Sequence, residues 1–168
     1  MRVRIPLFAT LMALLSACTN IECPLDNVVM MQAGLYHSLD GQKMTVEDFL
    51  TVYSSPKDTL LLNQAQNISS FMVPLRHGVE TDTLVLYFHN DNGDAADTLL
   101  VRKTDVPHFE SVDCPAAFFH QLHGVSWTSH ALAQFPLTID SVVIVSPKVE
   151  YDDKENIRIY LRTVATER

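Results

Sequence analysis

Residues 84–103 read LVLYFHNDNGDAADTLLVRK. Leu84 to His89 is an apolar and aromatic run, and Thr98 to Lys103 is a second one. Between them, Asn90-Asp91-Asn92-Gly93-Asp94 supplies residues that tolerate tight turns and left-handed backbone. Two strand-like runs around a turn predict an antiparallel hairpin.

The same grammar extends in both directions. Ile157, Ile159 and Leu161 alternate with Arg158, Tyr160 and Arg162, the period of a half-buried strand. Val142 to Val145 is continuously β-branched and is expected to be a central strand. Phe71, Val73 and Leu75 alternate with Met72, Pro74 and Arg76, and Pro74 predicts an edge strand or a strand end. Val28 to Tyr36 and Phe49 to Tyr53 read as strands, the latter stopping at Ser54-Ser55-Pro56. Asp58-Thr59-Leu60, Asp82-Thr83-Leu84 and Asp97-Thr98-Leu99 share a form. In each, the Asp is expected to close a turn before a strand opens. Two short stretches, Val46-Glu47-Asp48 and Pro115 to Leu122, read as helical. The expected fold is all-β with little helix: a single antiparallel β-sandwich, immunoglobulin-like only in the loose sense. The lone Trp127 follows both Cys23 and Cys114, whereas a true immunoglobulin pattern places Trp between two cysteines.

The N-terminus reads differently. Arg2 and Arg4 precede an uncharged, mostly apolar run from Ile5 to Leu15, the length of a signal h-region and too short to span a bilayer. It ends in Leu15-Ser16-Ala17-Cys18, small residues before a cysteine. This resembles the bacterial lipobox and predicts a lipoprotein signal peptide over 1–17 and acylation of Cys18, with diacylglycerol and an amide-linked chain such as palmitate. A lipidated tether would occupy 18–27, the sandwich 28–164 and a short tail 165–168. Multiple acyl chains make the bilayer the first expected partner.

Acylation of Cys18 also resolves an odd count of 3 cysteines. In an oxidising envelope, Cys23 and Cys114 are expected to pair. The bridge would close a loop of about 92 residues, worth on the order of 4–5 kcal/mol in the chain-entropy model.

Composition excludes some functions. The chain has 168 residues, enough for one domain, and 12 Lys plus Arg against 20 Asp plus Glu. A net charge of −8 argues against nucleic acid as a partner. With 5 glycines there is little material for a phosphate loop, and Ser126 lacks the Gly-x-Ser-x-Gly setting. Two metal patterns stay open beside blander readings. His120 and His123 could share zinc on a helix but would point apart on a strand. Asp91, Asp94 and Asp97 around Gly93 are calcium candidates, and equally the residues of a hairpin tip. No cofactor and no catalytic residue is expected.

Several short runs together resemble a family. They are Cys23-Pro24-Leu25, Leu61-Leu62-Asn63 with Ser69-Ser70-Phe71, Val106-Pro107-His108-Phe109-Glu110-Ser111 with Cys114, Ile139-Asp140-Ser141-Val142, and Glu155-Asn156-Ile157. They are similar to small uncharacterised envelope lipoproteins of Bacteroides-type bacteria, a domain-of-unknown-function family, from Glu22 to Arg162. The resemblance implies an envelope lipoprotein with a β-rich domain and no assigned activity. In such bacteria, surface export is associated with an acidic cluster after the lipid cysteine. Thr19 to Cys23 holds only Glu22, so a periplasm-facing place on the outer membrane is expected. The expected function is non-enzymatic: binding or supporting another envelope protein. A small-ligand binder, for carbohydrate or calcium, is the alternative.

Overall fold

In the computed structural model the described residues are Cys23, 28–56 and 58–164. The expected signal peptide over 1–17, the lipid cysteine Cys18, most of the tether and the tail 165–168 lie outside them. The described chain forms ten strands and no helix: β1 Met30–His37, β2 Phe49–Ser55, β3 Thr59–Ala65, β4 Ser70–Pro74, β5 Thr81–Asn90, β6 Gly93–His108, β7 Ala117–Trp127, β8 Leu137–Ile144, β9 Lys148–Val149 and β10 Glu155–Thr163. They build a four-stranded sheet, β4-β1-β10-β8, packed on a six-stranded sheet, β3-β2-β5-β6-β7-β9. The all-β sandwich is thus present.

Alternation places the core. Leu84, Leu86 and Phe88 on β5 and Leu99 and Val101 on β6 point inward, against Met31, Ala33 and Leu35 on β1 and Ile157, Ile159 and Leu161 on β10. At 20–33 cal/mol per Å² of apolar surface removed from water, this interior is the main term holding the sheets together.

Five expectations need correction. The sandwich is not purely antiparallel: β1 pairs with β10 in parallel, Leu35 opposite Ile159. The two strands lie more than a hundred residues apart, and periodicity carries no information on who pairs with whom. Val142–Val145 is not central. β8 is a sheet edge, with Val143 47% and Val145 42% exposed, because β-branching suits any pleated strand, edge or centre. Pro115–Leu122 is not helical. From Ala117 it is β7, in register with β6. Val46 lies not in a helical turn but in a bridge to Ile68. Finally, only Asp58 sits at a turn, with φ 47°, whereas Asp82 and Asp97 lie inside strands and face the core.

The hairpin itself is tighter than its composition suggests. Asn90 pairs with Gly93, which leaves a two-residue tip of Asp91 and Asn92. The Asn92 N–H donates to Asn90 Oδ1 at 2.8 Å, an Asx turn that closes it.

On the other sheet, the irregularity between Gln32 and Ala33 in the parallel pair is filled by a side chain. Buried Asn156 accepts the Gln32 N–H at 2.9 Å and donates to the carbonyls of Ser146 and Lys148. One amide thus satisfies an N–H of β1 and two carbonyls of the 146–148 stretch, and so ties the two together.

Candidate functional site

The long strands β5, β6 and β7 carry the buried ionisable groups. On β6, Asp97, Leu99, Val101 and Lys103 share one face, and all four are buried. Two polar clusters result, one toward each end of the strand.

Around Asp97, four donors converge. Its Oδ1 accepts the His130 backbone N–H at 2.7 Å and the imidazole at 2.9 Å, through Nδ1. Its Oδ2 accepts the Ile139 N–H at 2.9 Å and the Thr138 hydroxyl at 3.1 Å. This hydrogen-bond pattern fixes the His130 tautomer with its proton on Nδ1. An Asp–His pair is also the geometry that orients a general base. Here, however, Nε2 is buried without a hydrogen-bond partner, beside the rings of Phe88 and Phe135. The neighbouring Ser129 hydroxyl donates to the Ile139 carbonyl. The pair therefore clamps the 128–136 loop onto β6 and β8.

Around Lys103 the arrangement is a charge network. Its ammonium donates to the carbonyls of Arg76 and Val79 at 2.6 and 3.0 Å and to Asp105 Oδ1 at 2.6 Å. Those three acceptors match its three N–H groups, so no lone pair is offered for nucleophilic work. Asp82 lies 3.7 Å away and accepts both the backbone N–H and the Nε–H of Arg76. Asp105 also takes the Gly78 N–H at 2.6 Å and His120 Nδ1 at 2.8 Å. Burial works to raise the Asp105 pKa, but hydrogen bonds from Lys103, Gly78 and His120 prevail and hold it below the usual carboxylate value. Burial pushes the His120 imidazole down, against the opposing pull of Asp105. The network joins the 75–80 loop to β6 and β7.

The metal candidates do not assemble. His120 points inward to Asp105, while exposed His123 faces out, its Nε2 3.0 Å from the Thr104 hydroxyl. This is the strand outcome of their spacing. The three candidate calcium carboxylates diverge: Asp91 lies at the exposed tip, Asp94 lies against the Tyr87 hydroxyl and Asp97 lies in the core. Among the described residues, no three His, Cys, Asp or Glu side chains are grouped to hold a metal ion. Trp127 is half-buried against the core at the far end of β7.

No motif in the sequence joins Lys103, Asp82, Asp105 and Arg76 into one cluster. The signal that could have found them is period two: Asp82 and Lys103 occupy the same parity as the apolar residues of their strands.

Cys23 and Cys114 are joined as a disulfide, with Cα atoms 5.5 Å apart, inside the normal range. Cys114 lies in the 109–116 loop between β6 and β7, so the bond holds Cys23 at that end of the sandwich.

Residues 49–161 match the model of a family of unknown function, DUF6452. The chain belongs to the DUF6452 family. The DUF6452 match begins at the first residue of β2 and ends at buried Leu161 on β10. It takes in both polar clusters and Cys114, but not β1 or Cys23. No curated protein and no solved structure matches the chain.

Proposed function

We propose that this DUF6452 protein is a lipid-anchored envelope module, acylated at Cys18, facing the periplasm from the outer membrane and binding or supporting another envelope protein without catalysis of its own. What supports the reading is the Cys23–Cys114 bond, formed five residues past the lipobox cysteine. A disulfide there belongs to an oxidising compartment and ties the tether to the folded domain. The resemblance to Bacteroides-type envelope lipoproteins points the same way. The acid and base side chains of the interior are held in structural hydrogen bonds, which favours a binding role over chemistry.

The test is fractionation of cells carrying the wild type or Cys18→Ser. Wild type is expected in the outer-membrane fraction, shielded from protease on intact cells, and Cys18→Ser in the soluble fraction. A Cys18→Ser protein that stays in the membrane, or rapid shaving of the wild type, overturns the anchor or the facing. Crosslinking in intact envelopes should then yield one stoichiometric protein adduct.

A further inference from the structure

Several exposed apolar side chains lie at one end of the sandwich, while others, such as Leu39 beside the end of β10, lie elsewhere. Phe109 is 65% and Val112 98% exposed, both on the loop between β6 and β7 that leads to Cys114. Val106 at the end of β6 and Tyr151 after β9 are exposed too. Tyr151 meets the edge of Phe119 at 5.3 Å and His108 at 6.4 Å, so it belongs to the same end. Exposed Val28 lines a shallow cleft with Met72 and Tyr151. They form a rim at the end that holds the Cys23–Cys114 bond: Val112 is two residues from Cys114, and Cys23 Sγ lies 3.9 Å from the Asp113 carbonyl oxygen.

A covalent limit decides what this rim faces. Cys18 precedes Cys23 by five residues, which span at most about 18 Å when fully extended. β6 alone, at sixteen residues, is about 50 Å long. An anchor at Cys18 can therefore hold only the disulfide end of the domain near a bilayer.

We propose that the loop from Val106 to Cys114, with Phe109 and Val112 as its contacts, is a bilayer-docking surface that seats this end of the domain in the headgroup layer. The proposal rests on acylation of Cys18. Two such side chains give too little apolar area to bind a membrane unaided. Beside an anchor the contact is intramolecular, so a small area suffices to set orientation. Glu110, Asp113 and Asp153 lie on or near the rim, beside an Asp152 already paired with Lys154, and this net negative charge selects neutral headgroups and disfavours anionic ones.

The experiment uses the full acylated protein as Phe109→Trp, in phosphatidylcholine–phosphatidylethanolamine vesicles with brominated acyl chains. Trp127 is the internal reference: it lies ten residues along β7 from Ala117, about 33 Å away. The added emission is expected to be quenched several-fold more than that of Trp127, and less so once phosphatidylglycerol is included. Protein that floats with the vesicles but shows no added quenching, or equal quenching of Trp127, overturns the docking surface alone. Protein that neither floats nor carries acyl mass on its N-terminal peptide overturns the anchor, and the surface with it. In intact cells a photoreactive phenylalanine analogue at position 109 is expected to capture phospholipid. Capture mainly of protein, including a second copy, overturns the proposal.

Discussion

Asp97 accepts both the backbone N–H and the imidazole of His130, at 2.7 and 2.9 Å, although the two residues are 33 positions apart. The carboxylate is fully buried, and its other oxygen is occupied by Thr138 and Ile139. Asp97→Ala strips four donors of their acceptor and is expected to cost about 3–5 kcal/mol. Urea unfolding measures it. Millimolar calcium should leave the wild-type melting temperature unchanged, since only a ligand that binds the native state raises it.

His120 makes stability depend on pH. Its folded pKa lies below the ordinary value of about 6.5, so between the two values only the unfolded chain takes up the proton. Stability therefore falls as pH drops through that window, by up to about 1.4 kcal/mol per pH unit for one proton. His120→Asn, which can still donate to Asp105, should flatten this slope on the acid side of the ordinary value of about 6.5 in denaturation series. Asp105 adds a second loss at lower pH, because its folded pKa is depressed and its contribution disappears as the carboxylate is protonated.

Gly34 is a packing glycine. A Cβ there would fall on the Glu155 carboxylate and 2.8 Å from the Tyr36 ring. Glu155 is held by the Tyr36 hydroxyl at 2.9 Å and by Arg158 Nε at 2.6 Å. Gly34→Ala should cost about 1–3 kcal/mol by overpacking. The same change in a Glu155→Ala background should cost clearly less, a coupling that a double-mutant cycle reads directly.

Removing the bridge tests the tether. The double variant Cys23→Ala, Cys114→Ala is expected to lose on the order of 2–5 kcal/mol. Denaturant midpoints with and without reductant measure it: reductant should shift the wild type and leave the double variant unmoved.

The strand positions were largely legible because side-chain direction alternates locally. Ile157, Ile159 and Leu161 are buried as their spacing requires, and the 84–103 hairpin forms. The failures have physical reasons. The Asp-Thr-Leu runs looked like strand openings because Asp favours turns. That preference yields when a buried carboxylate finds several donors, as Asp82 and Asp97 do. His120 and His123 could be resolved only once 117–127 was known to be a strand.

By itself the sequence determined the class of fold, which face of β10 enters the core, the 84–103 hairpin, and, from three cysteines, an expected pairing of Cys23 with Cys114. Each rests on local periodicity or on arithmetic over a few residues. Only the tertiary structure decided the parallel pairing of β1 with β10, the two buried polar clusters, and the placing of Phe109, Val112 and Tyr151 at the disulfide end of the sandwich. Those depend on contacts between residues far apart in the chain, which form only when the two sheets close on one another.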